Sequence, residues 1–469
     1  MEGPKAIPLT LSFDRGTLVL RGPGRFRPPA GGDVWVWDDR VGAWRTDAMR
    51  YARVKQALSE QPGATLADEV PDPPPVHWPK VDGHALRPEQ EEALAAWLGA
   101  GGRGQVVMPT GTGKTEVALA AMARIGTATL VVAPVRDLMY QWHRRILKGL
   151  GYDAGVLGDS VYNVQPVTVT TYDSACIHMA QLGARFGLVI FDEEHHLPGP
   201  ARREAALMST AAMRLGLTAT PERSDGRHAD LDDLIGPVVY RLALDTVRGK
   251  TLAEFEVVRI PVALGVQEQA AYDGYSRQVR HFVSERRKDQ PGYTWQDLCA
   301  ESGRDPAARL AMKAYRLKCA IEDRAAEKLR VLEDLFRLHA GQPTIVFAGS
   351  NAMAMEVSRR FLAPTILSHT PKKERLAVLE GFGRGDFPAL VANRVLDEGV
   401  DIPAAKVAVV IGGQASTRQA QQRLGRVLRK TGQARAVLYE VVCLDTHEIE
   451  RSRQRRRSDA YERTRHRRV

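Results

Sequence analysis

A glycine-rich loop in the first half of the sequence contains the residue types that hold phosphate groups. The loop consists of Pro109, Thr110, Gly111, Thr112, Gly113, Lys114 and Thr115. It follows the apolar run 105–108 and precedes the helix-like stretch 116–126, so backbone N–H groups and the positive end of a helix would meet there. Lys114 has the length to reach the outer phosphates, and the Thr115 hydroxyl is a suitable Mg²⁺ ligand. We expect the loop to bind ATP, with Mg²⁺ as its cofactor.

Two carboxylates follow a second apolar run further along the chain. Asp192 and Glu193 come directly after residues 188–191, which predict a buried strand. Open α/β sheets place their ligands at the carboxyl ends of the strands. Asp192 is therefore predicted to hold Mg²⁺, and Glu193 to orient or deprotonate the water that attacks the γ-phosphate. His195 either connects this site to a nucleic-acid site or is a histidine of the core.

An arginine-rich segment near the carboxyl-terminal end is a third candidate for phosphate chemistry. Residues 422–429 read QRLGRVLR, and the spacing of Arg426 and Arg429 places them on one face of a helix. Arginines that reach a γ-phosphate accelerate its transfer by ~10³ to 10⁵. Arg426 and Arg429 could therefore converge on one phosphate. The segment resembles motif VI of superfamily 2 helicases, and this resemblance implies that Gln422, Arg426 and Arg429 complete the catalytic set. The alternative is an exposed, arginine-rich helix.

The elements that must position these residues form two series of apolar runs that alternate with helical stretches. The first series lies within residues 105–220 and the second within residues 344–413. Such alternation is typical of βαβ units and predicts the α/β class, with two parallel-sheet domains in tandem. We assign these domains to residues 81–245 and 246–450.

The other segments differ in composition from these two domains. Residues 71–80 are rich in proline and predict an extended linker after a small α+β N-terminal domain at residues 1–70. Residues 268–336 contain few strand-like runs but repeat apolar residues at helical spacing, which predicts a helical insertion in the second domain. The apolar face of this insertion is predicted at Leu310, Ala314, Leu317 and Ile321. Residues 451–469 contain nine arginines and two acidic residues and are predicted to be a disordered basic tail.

Charge and composition exclude some classes of protein. The net charge is +10, but residues 451–469 contribute +7 of it, so the other 450 residues carry only +3 and give little support for a nucleic-acid partner. The four cysteines are far apart, without the spacing of a zinc or redox site. No apolar run approaches the ~18 residues of a membrane helix, and no signal peptide precedes the first domain. We therefore expect no membrane contact and a cytoplasmic location, at the nucleoid if the source is prokaryotic.

Taken in order, these motifs resemble those of superfamily 2 helicases, in which two RecA-like domains share one nucleotide site in the cleft between them. Further matches are Arg87 and Gln90, the triplet Thr218, Ala219 and Thr220, and the pair Gly399 and Asp401. The resemblance implies that the first pair reads adenine and that the second pair lies near the ribose. It implies that the triplet, with His195, couples hydrolysis to domain movement.

Three other segments resemble the nucleic-acid motifs of the superfamily. Arg136, Thr171 and Ser350 follow predicted strands, where they could contact a phosphate backbone. Contacts of this kind allow tracking along a strand without sequence readout. The alternative for all three is ordinary loop polarity.

Within the superfamily the sequence resembles the XPB type, the xeroderma pigmentosum group B helicases. The stretches that carry the resemblance are TTYDSA, IFDEEHHLP, RLGLTATPERSDGRH, VLDEGVDIP and QRLGRVLR. The resemblance implies 3′ to 5′ unwinding of DNA or translocation on duplex DNA, in nucleotide excision repair or promoter opening. A partner nuclease or a repair and transcription complex is also implied.

The XPB resemblance extends to particular segments. It identifies residues 1–70 as a damage-recognition-like domain and residues 268–336 as a thumb that grips DNA. Within the thumb, Arg309, Lys313 and Arg316 share one helix face, although a solvated face would look the same. The resemblance links the family's Arg-Glu-Asp loop to strand separation, and so implies nucleic-acid contact by Arg223 and Asp225; in this chain the loop reads Arg223, Ser224 and Asp225. The missing glutamate argues against strand separation by this loop.

Three functions remain in competition on the sequence alone. The first is an ATP-dependent helicase or translocase acting on duplex and single-stranded DNA. The second is a DExH RNA helicase, against which the XPB-like stretches and the thumb argue. The third is an ATP-gated subunit that opens DNA for partners without processive unwinding.

Overall fold

The computed structural model describes residues 7–24, 26, 28, 35–80, 85–222, 225–243, 255–367, 369–393, 405–412 and 436–456. Contacts within the chain divide it into two compact units, Met1–Ala243 and Leu244–Val469. The first unit holds two sheets and the second holds one.

A five-stranded sheet and one helix form the start of the first unit. The elements are β1 (Ile7–Asp14), β2 (Thr17–Arg21), β3 (Val36–Asp38), β4 (Ala43–Asp47), α1 (Tyr51–Ser59) and β5 (Ala64–Asp68). The strand order is β3-β4-β2-β1-β5, and only the β1–β5 pair is parallel. Leu9 and Leu11 alternate along β1 and pack with Leu58 of α1. This is the small α+β domain that the sequence predicts.

The second sheet of this unit is the first of the two predicted parallel sheets. Its strands are β6 (Arg103–Val107), β7 (Thr129–Ala133), β8 (Gly155–Gly158), β9 (Val161–Tyr162), β10 (Val167–Thr171), β11 (Leu188–Asp192), β12 (Met213–Thr218) and β13 (Val238–Arg241). The order is β13-β6-β12-β11-β7-β10-β8-β9, and every pair except β8–β9 is parallel. Strands β7, β10 and β11 are buried along their whole length, as expected when helices cover both faces.

Helices connect these strands. They are α2 (Pro88–Gly99), α3 (Lys114–Ile125), α4 (Arg136–Leu150), α5 (Tyr172–Leu182), α6 (Glu204–Leu207) and α7 (Asp230–Leu234). Because α3, α4 and α5 each follow a parallel strand of this sheet, α3 after the glycine-rich loop, their first turns lie at the carboxyl-terminal edge of the sheet.

The proline-rich segment 71–80 is packed against this sheet domain. The backbone N–H of Val76 donates to Gly126 O at 2.9 Å, and Lys80 N–H donates to Leu150 O at 3.1 Å. Val76 is also buried. The segment predicted as a linker is therefore held by the first unit along its length.

The second unit is built on a six-stranded sheet that is parallel throughout. Its strands are β14 (Phe255–Val262), β15 (Thr344–Phe347), β16 (Thr365–Ile366), β17 (Ala389–Ala392), β18 (Val407–Val410) and β19 (Ala436–Cys443), in the order β14-β19-β18-β15-β17-β16. The helices are α8 (Val266–Asp289), α9 (Trp295–Glu301), α10 (Pro306–Asp323), α11 (Ala326–Leu338), α12 (Asn351–Phe361), α13 (Lys372–Arg384) and α14 (His447–Arg456). Together the two sheets give the tandem RecA-like architecture predicted from the sequence.

The helical insertion is made by α8, α9 and α10, which have an apolar cluster of their own. Its core residues are Tyr293, Leu298, Ala308, Ala311 and Met312. The predicted apolar face was wrong at two positions, because Leu310 and Leu317 are exposed. The following helix α11 packs into the core of the sheet through Leu329, Leu332 and Leu335, although it lies within the predicted insertion.

The final described helix extends into the predicted basic tail. Residues 451–456 form the second half of α14, whereas the sequence predicted disorder from 451 onward. Ser452 Oγ donates to Glu440 Oε2 at 3.0 Å, and Lys328 Nζ bonds to Glu448 Oε2 at 2.8 Å. These contacts to β19 and α11 fix the helix to the sheet domain.

Candidate functional site

The glycine-rich loop connects β6 to α3, as predicted. Gly111 and Gly113 have φ of 87° and 82°, a left-handed conformation that side chains disfavour. A Cβ atom on Gly113 would lie 2.3 Å from Gln90 Nε2. The turn therefore requires glycine for its backbone angle and for the space around it.

Polar groups of the loop are arranged in a way that suits a phosphate ligand. Lys114 Nζ donates to Met108 O at 3.1 Å, so the ammonium is folded back over the loop. Thr112 is buried and bonds to Pro109 O at 2.7 Å, which closes the turn. The buried Thr110 hydroxyl has no hydrogen-bond partner among the described residues. A lysine held only by a carbonyl and an unsatisfied hydroxyl fit a loop that takes an anion.

Arg87 and Gln90, predicted to read adenine, contact the loop itself. Gln90 Nε2 donates to Thr112 O at 2.8 Å, and an Arg87 Nη2–H bonds to the same oxygen. Gln90 Oε1 in turn accepts from the Arg87 backbone N–H at 2.9 Å and caps α2. These two side chains therefore brace the phosphate loop, a role that the sequence did not indicate.

Asp192 ends β11 at the carboxyl-terminal edge of the sheet. Its Oδ2 accepts from Trp142 Nε1 at 2.8 Å and its Oδ1 accepts from the Glu193 backbone N–H at 3.1 Å. Burial, and then the negative charge of Glu193, raise the pKa of Asp192 to about 6, while Trp142 and Lys114 act in the opposite direction. A buried carboxylate beside a phosphate loop fits a divalent cation, which would offset the cost of its burial.

Glu193 occupies an unusual backbone position. Its φ is 48°, in the left-handed region that a non-glycine residue adopts only at a cost of ~1–3 kcal/mol. Its Oε2 lies 3.5 Å from His195 Nδ1. Residues held in this conformation are concentrated at functional sites, which agrees with the predicted role of Glu193.

His195 is buried and joins the carboxylate segment to the end of β12. Its Nδ1 lies 3.3 Å from Thr218 Oγ1. The Thr218 hydroxyl donates to Thr220 O at 3.0 Å and accepts from Thr220 N–H at 3.1 Å. If the Thr218 hydroxyl gives its single hydrogen to Thr220 O, Nδ1 of His195 is the donor to Thr218 Oγ1. His195, Thr218 and Thr220 thus form one connected network, with Ala219 between the two threonines.

Glu194 is a fully buried carboxyl that sequence reasoning missed. Burial raises its pKa well above the usual value. It packs so closely on Gly216 of β12 that a Cβ atom there would overlap Glu194 Oε2. A glycine inside a buried strand was the available signal, since it often marks the close approach of another group.

In the first unit, two predicted nucleic-acid contacts have local partners. Arg136 is exposed in the first turn of α4 and forms an ion pair of 2.7 Å with Asp159. The Thr171 hydroxyl caps α5 by accepting from Ser174 N–H at 3.3 Å. Both side chains lie at the carboxyl-terminal edge of the sheet, but only Arg136 has a well-exposed polar group.

The other predicted contacts also differ in exposure. Ser350 Oγ caps α12 through Met353 N–H at 3.1 Å and donates to Asp323. Asp225 accepts from Arg227 N–H at 3.2 Å. A separate group, Arg309, Lys313 and Arg316, is exposed on α10 beside Leu310 and Leu317. The helix therefore presents a basic face to solvent, as predicted.

Several predicted site residues lie outside the described residues. They are Arg223, Ser224, Gly399, Asp401, Gln422, Arg426 and Arg429.

Within the described ranges, no three His, Cys, Asp or Glu side chains form a group that could hold a metal ion. Mg²⁺ at a phosphate site commonly takes only one or two protein ligands, so Thr115 and Asp192 remain suitable. No helix of the described residues is long and apolar enough to cross a membrane.

Three family models match successive parts of the chain. The Xeroderma pigmentosum group B helicase damage recognition domain matches residues 11–70. The Type III restriction enzyme, res subunit, matches residues 83–223, and the ERCC3/RAD25/XPB C-terminal helicase matches residues 310–459.

Individual proteins show the same relationship. The DNA 3′-5′ translocase XPB2 of Sulfurisphaera tokodaii is 38% identical over 423 residues, which cover 90% of this chain and 95% of that protein. The DNA 3′-5′ helicase XPB of Kineococcus radiotolerans is 33% identical over 80% of this chain and 63% of its own length. Among solved structures, the helicase domain of Pyrococcus furiosus Hef aligns with a TM-score of 0.51 over 79% of this chain and 98% of its own, at 17% identity. That last likeness concerns the fold alone.

Proposed function

This chain belongs to the XPB family of superfamily 2 helicases, and we propose that it couples ATP hydrolysis to 3′ to 5′ movement on DNA. It is an ATP-dependent DNA helicase or translocase, as its relatives are named. The direction comes from the names of those relatives. One observation carries the proposal. Lys114 of the phosphate loop lies close enough to the buried carboxylate of Asp192 for its charge to lower the pKa of that carboxylate, in a chain of this family.

Hydrolysis requires a set of residues with separate tasks. Lys114 would exchange its bond to Met108 O for the outer phosphates, and Thr115 and Asp192 would hold Mg²⁺. Mg²⁺, when bound, neutralises charge on the phosphate oxygens. Glu193 orients the attacking water and accepts its proton. Arg87 and Gln90 brace the loop, and the loop glycines let backbone N–H groups turn toward the phosphates.

The residues outside the described ranges complete this set. Gln422, Arg426 and Arg429 are proposed to stabilise the charge that develops on the γ-phosphate. Gly399 and Asp401 are proposed to lie near the ribose. The network of His195, Thr218 and Thr220 is proposed to carry the state of the nucleotide site to the DNA-binding residues.

DNA is proposed to be held through its backbone. Arg136, Thr171 and Ser350 are the candidate contacts on the sheet domains, and the exposed polar group of Arg136 makes it the strongest of the three. Arg309, Lys313 and Arg316 add a basic helix face in the thumb. Contacts of this type bind any sequence and weaken with salt. A nuclease, or a repair or transcription factor, is proposed as a partner.

The first test is steady-state ATP hydrolysis with no nucleic acid, duplex DNA, single-stranded DNA or RNA, with Lys114→Ala as the control. We expect strong stimulation by DNA that the control lacks. Stimulation by RNA alone would replace the DNA assignment with an RNA helicase. Slow turnover that is indifferent to every nucleic acid would favour an ATP-gated subunit.

Translocation and strand separation need separate assays. The loop Arg223-Ser224-Asp225 lacks the family's glutamate, which favours movement on duplex DNA over unwinding. We expect displacement of a triplex-forming strand from duplex DNA to be faster than separation of a forked duplex. Ser224→Glu should then increase forked-duplex separation without changing triplex displacement. Equal rates in both assays, unchanged in the variant, would remove the loop from the mechanism.

A further inference from the structure

A cavity in the second unit is lined by none of the helicase-motif residues that the structure describes. It has a volume of about 260 Å³ and is lined by Tyr315, Lys318, Cys319, His447, Glu450 and Arg451. The first three residues belong to α10 and the last three to α14. The cavity therefore lies where the helical insertion meets the carboxyl-terminal helix.

Lys318 forms the inner wall of this cavity and is only 4% exposed. It makes no hydrogen bond and no ion pair with any of the described residues. Its ammonium lies 5.5 Å from the ring centre of Tyr272 and 5.6 Å from that of Tyr315. Contacts with aromatic rings offset only part of the free energy that burying a cation costs. Burial also lowers the pKa of Lys318.

Glu322, the carboxylate that pairs with Arg451, already has its partners. Glu322 Oε1 accepts from the Tyr272 hydroxyl at 2.9 Å, and Glu322 Oε2 pairs with an Arg451 Nη2–H. The Nε–H of Arg451 is buried and has no hydrogen-bond partner among the described residues. The Arg451 Nε–H is thus a buried donor that lacks an acceptor among the described residues, and Lys318 adds a second cation to the cavity wall.

We propose that this cavity binds a small phosphate-bearing anion. A phosphate group offers several strong acceptors, and lysine and arginine are the side chains that most often bind it. The volume lies just below the range typical of small-molecule sites, which leaves room for a phosphate and a small attached group.

Besides Tyr315 and Cys319, two further titratable groups line the cavity. His447 and Glu450 are exposed. The negative charge of Glu450 opposes an anion, but solvent screens it more strongly than it screens the buried Lys318. The phosphate is therefore held at the inner wall, away from Glu450.

Cys319 provides a direct measurement of occupancy because its half-buried thiol lines the cavity. The intact chain is treated with iodoacetamide at increasing concentrations of inorganic phosphate, and the alkylation of each cysteine is measured by mass spectrometry. At about nine times the dissociation constant, phosphate should slow labelling of Cys319 about tenfold by mass action. The exposed Cys299, in the same insertion, should be labelled at an unchanged rate.

A matched pair of variants on α10 assigns the effect to Lys318. Lys318→Met keeps a similar volume and removes the charge, so protection of Cys319 by phosphate should be lost. Lys313→Met removes an exposed charge from the same helix and should keep the protection. The wild-type measurement needs no variant, so a folding defect in Lys318→Met would leave the first test intact.

The same labelling experiment with three different ligands identifies the source of the phosphate. These use inorganic phosphate, a 5′-phosphorylated oligonucleotide and the same oligonucleotide with a 5′-hydroxyl. Protection by inorganic phosphate alone identifies a free ion, and protection by the phosphorylated oligonucleotide alone identifies a strand end. Protection by both oligonucleotides identifies the internal backbone. The proposal fails if no arm protects Cys319, or if protection persists in Lys318→Met.

Discussion

The indole Nε1 of Trp142 donates a hydrogen bond of 2.8 Å to Oδ2 of Asp192. Trp142 lies on the buried face of α4, and the first residue of the same helix is Arg136, an exposed candidate for DNA contact. A single helix therefore connects a proposed DNA-binding residue to the proposed metal-binding carboxylate. Any displacement of α4 on DNA would change the surroundings of Asp192.

Trp142→Phe tests this connection through the pH dependence of ATP hydrolysis. The variant keeps an aromatic ring but loses the hydrogen bond that lowers the pKa of Asp192, so that pKa should rise further above about 6. The carboxyl then stays protonated to higher pH and cannot hold Mg²⁺. We expect the acidic limb of the kcat profile to move to higher pH and the Mg²⁺ requirement to increase.

Trp78→Phe is the matched control for that measurement. It removes an indole hydrogen bond of 3.2 Å to Met122 O in the same unit, away from Asp192. Its pH profile should follow that of the wild type. If the profiles of Trp142→Phe and the wild type coincide, Trp142 does not set the protonation of Asp192.

Glu193→Gln should separate nucleotide binding from hydrolysis. The amide keeps the shape of the side chain but cannot accept a proton, so turnover should fall by ~10² to 10⁴ while ATP still binds. Single-turnover hydrolysis and equilibrium binding of ATP measure the two effects. The control is Glu116→Gln, which removes a carboxylate of α3 that pairs with Arg145 of α4. This variant should hydrolyse ATP at close to the normal rate. Normal turnover in Glu193→Gln would assign proton transfer to another group.

Local signals in the sequence were sufficient to predict the central strands of the two parallel sheets. The strand β10, which lies within the first predicted series of apolar runs, is the β-branched run Val167–Thr171 and ends where a helix starts. Strands β14 and β19 were missed, although they pair along eight residues, because their pairing partners are far apart in the chain. Periodicity favoured large apolar residues for the buried face of the insertion and so misplaced Leu310.

Contacts between distant residues explain the other differences. The start of the predicted tail is ordered because Arg451 pairs with Glu322 and Ser452 bonds to Glu440. Neither partner is recognisable from the arginine-rich composition of the segment. Trp142 was similarly hidden, since nothing in its local sequence indicates that its indole reaches the end of β11.

Gly113→Ala should abolish nucleotide binding. The added Cβ would lie 2.3 Å from Gln90 Nε2, and φ of 82° costs a non-glycine residue ~1–2 kcal/mol. The loop must therefore move away from the residues that brace it. Gly126→Ala is the control, because it has a similar φ of 63° but its nearest neighbour, Val76 O, is 3.6 Å away. That variant should lose some stability and still bind ATP; equal binding by both variants would contradict the bracing of the loop.

The buried pair of Lys328 and Glu448 should determine how firmly α14 is attached. The two side chains are almost fully buried and bond at 2.8 Å, and Glu448 also accepts from Cys443 N–H at 2.9 Å. Lys328→Met leaves a buried carboxylate without its cation, so the free energy of unfolding of the second unit should fall by ~3–5 kcal/mol. Denaturant titration, followed by a probe in that unit, measures the loss. The double variant Lys328→Met with Glu448→Gln removes both charges and should recover most of it, whereas a loss equal to that of Lys328→Met alone would show that the methionine disrupts packing.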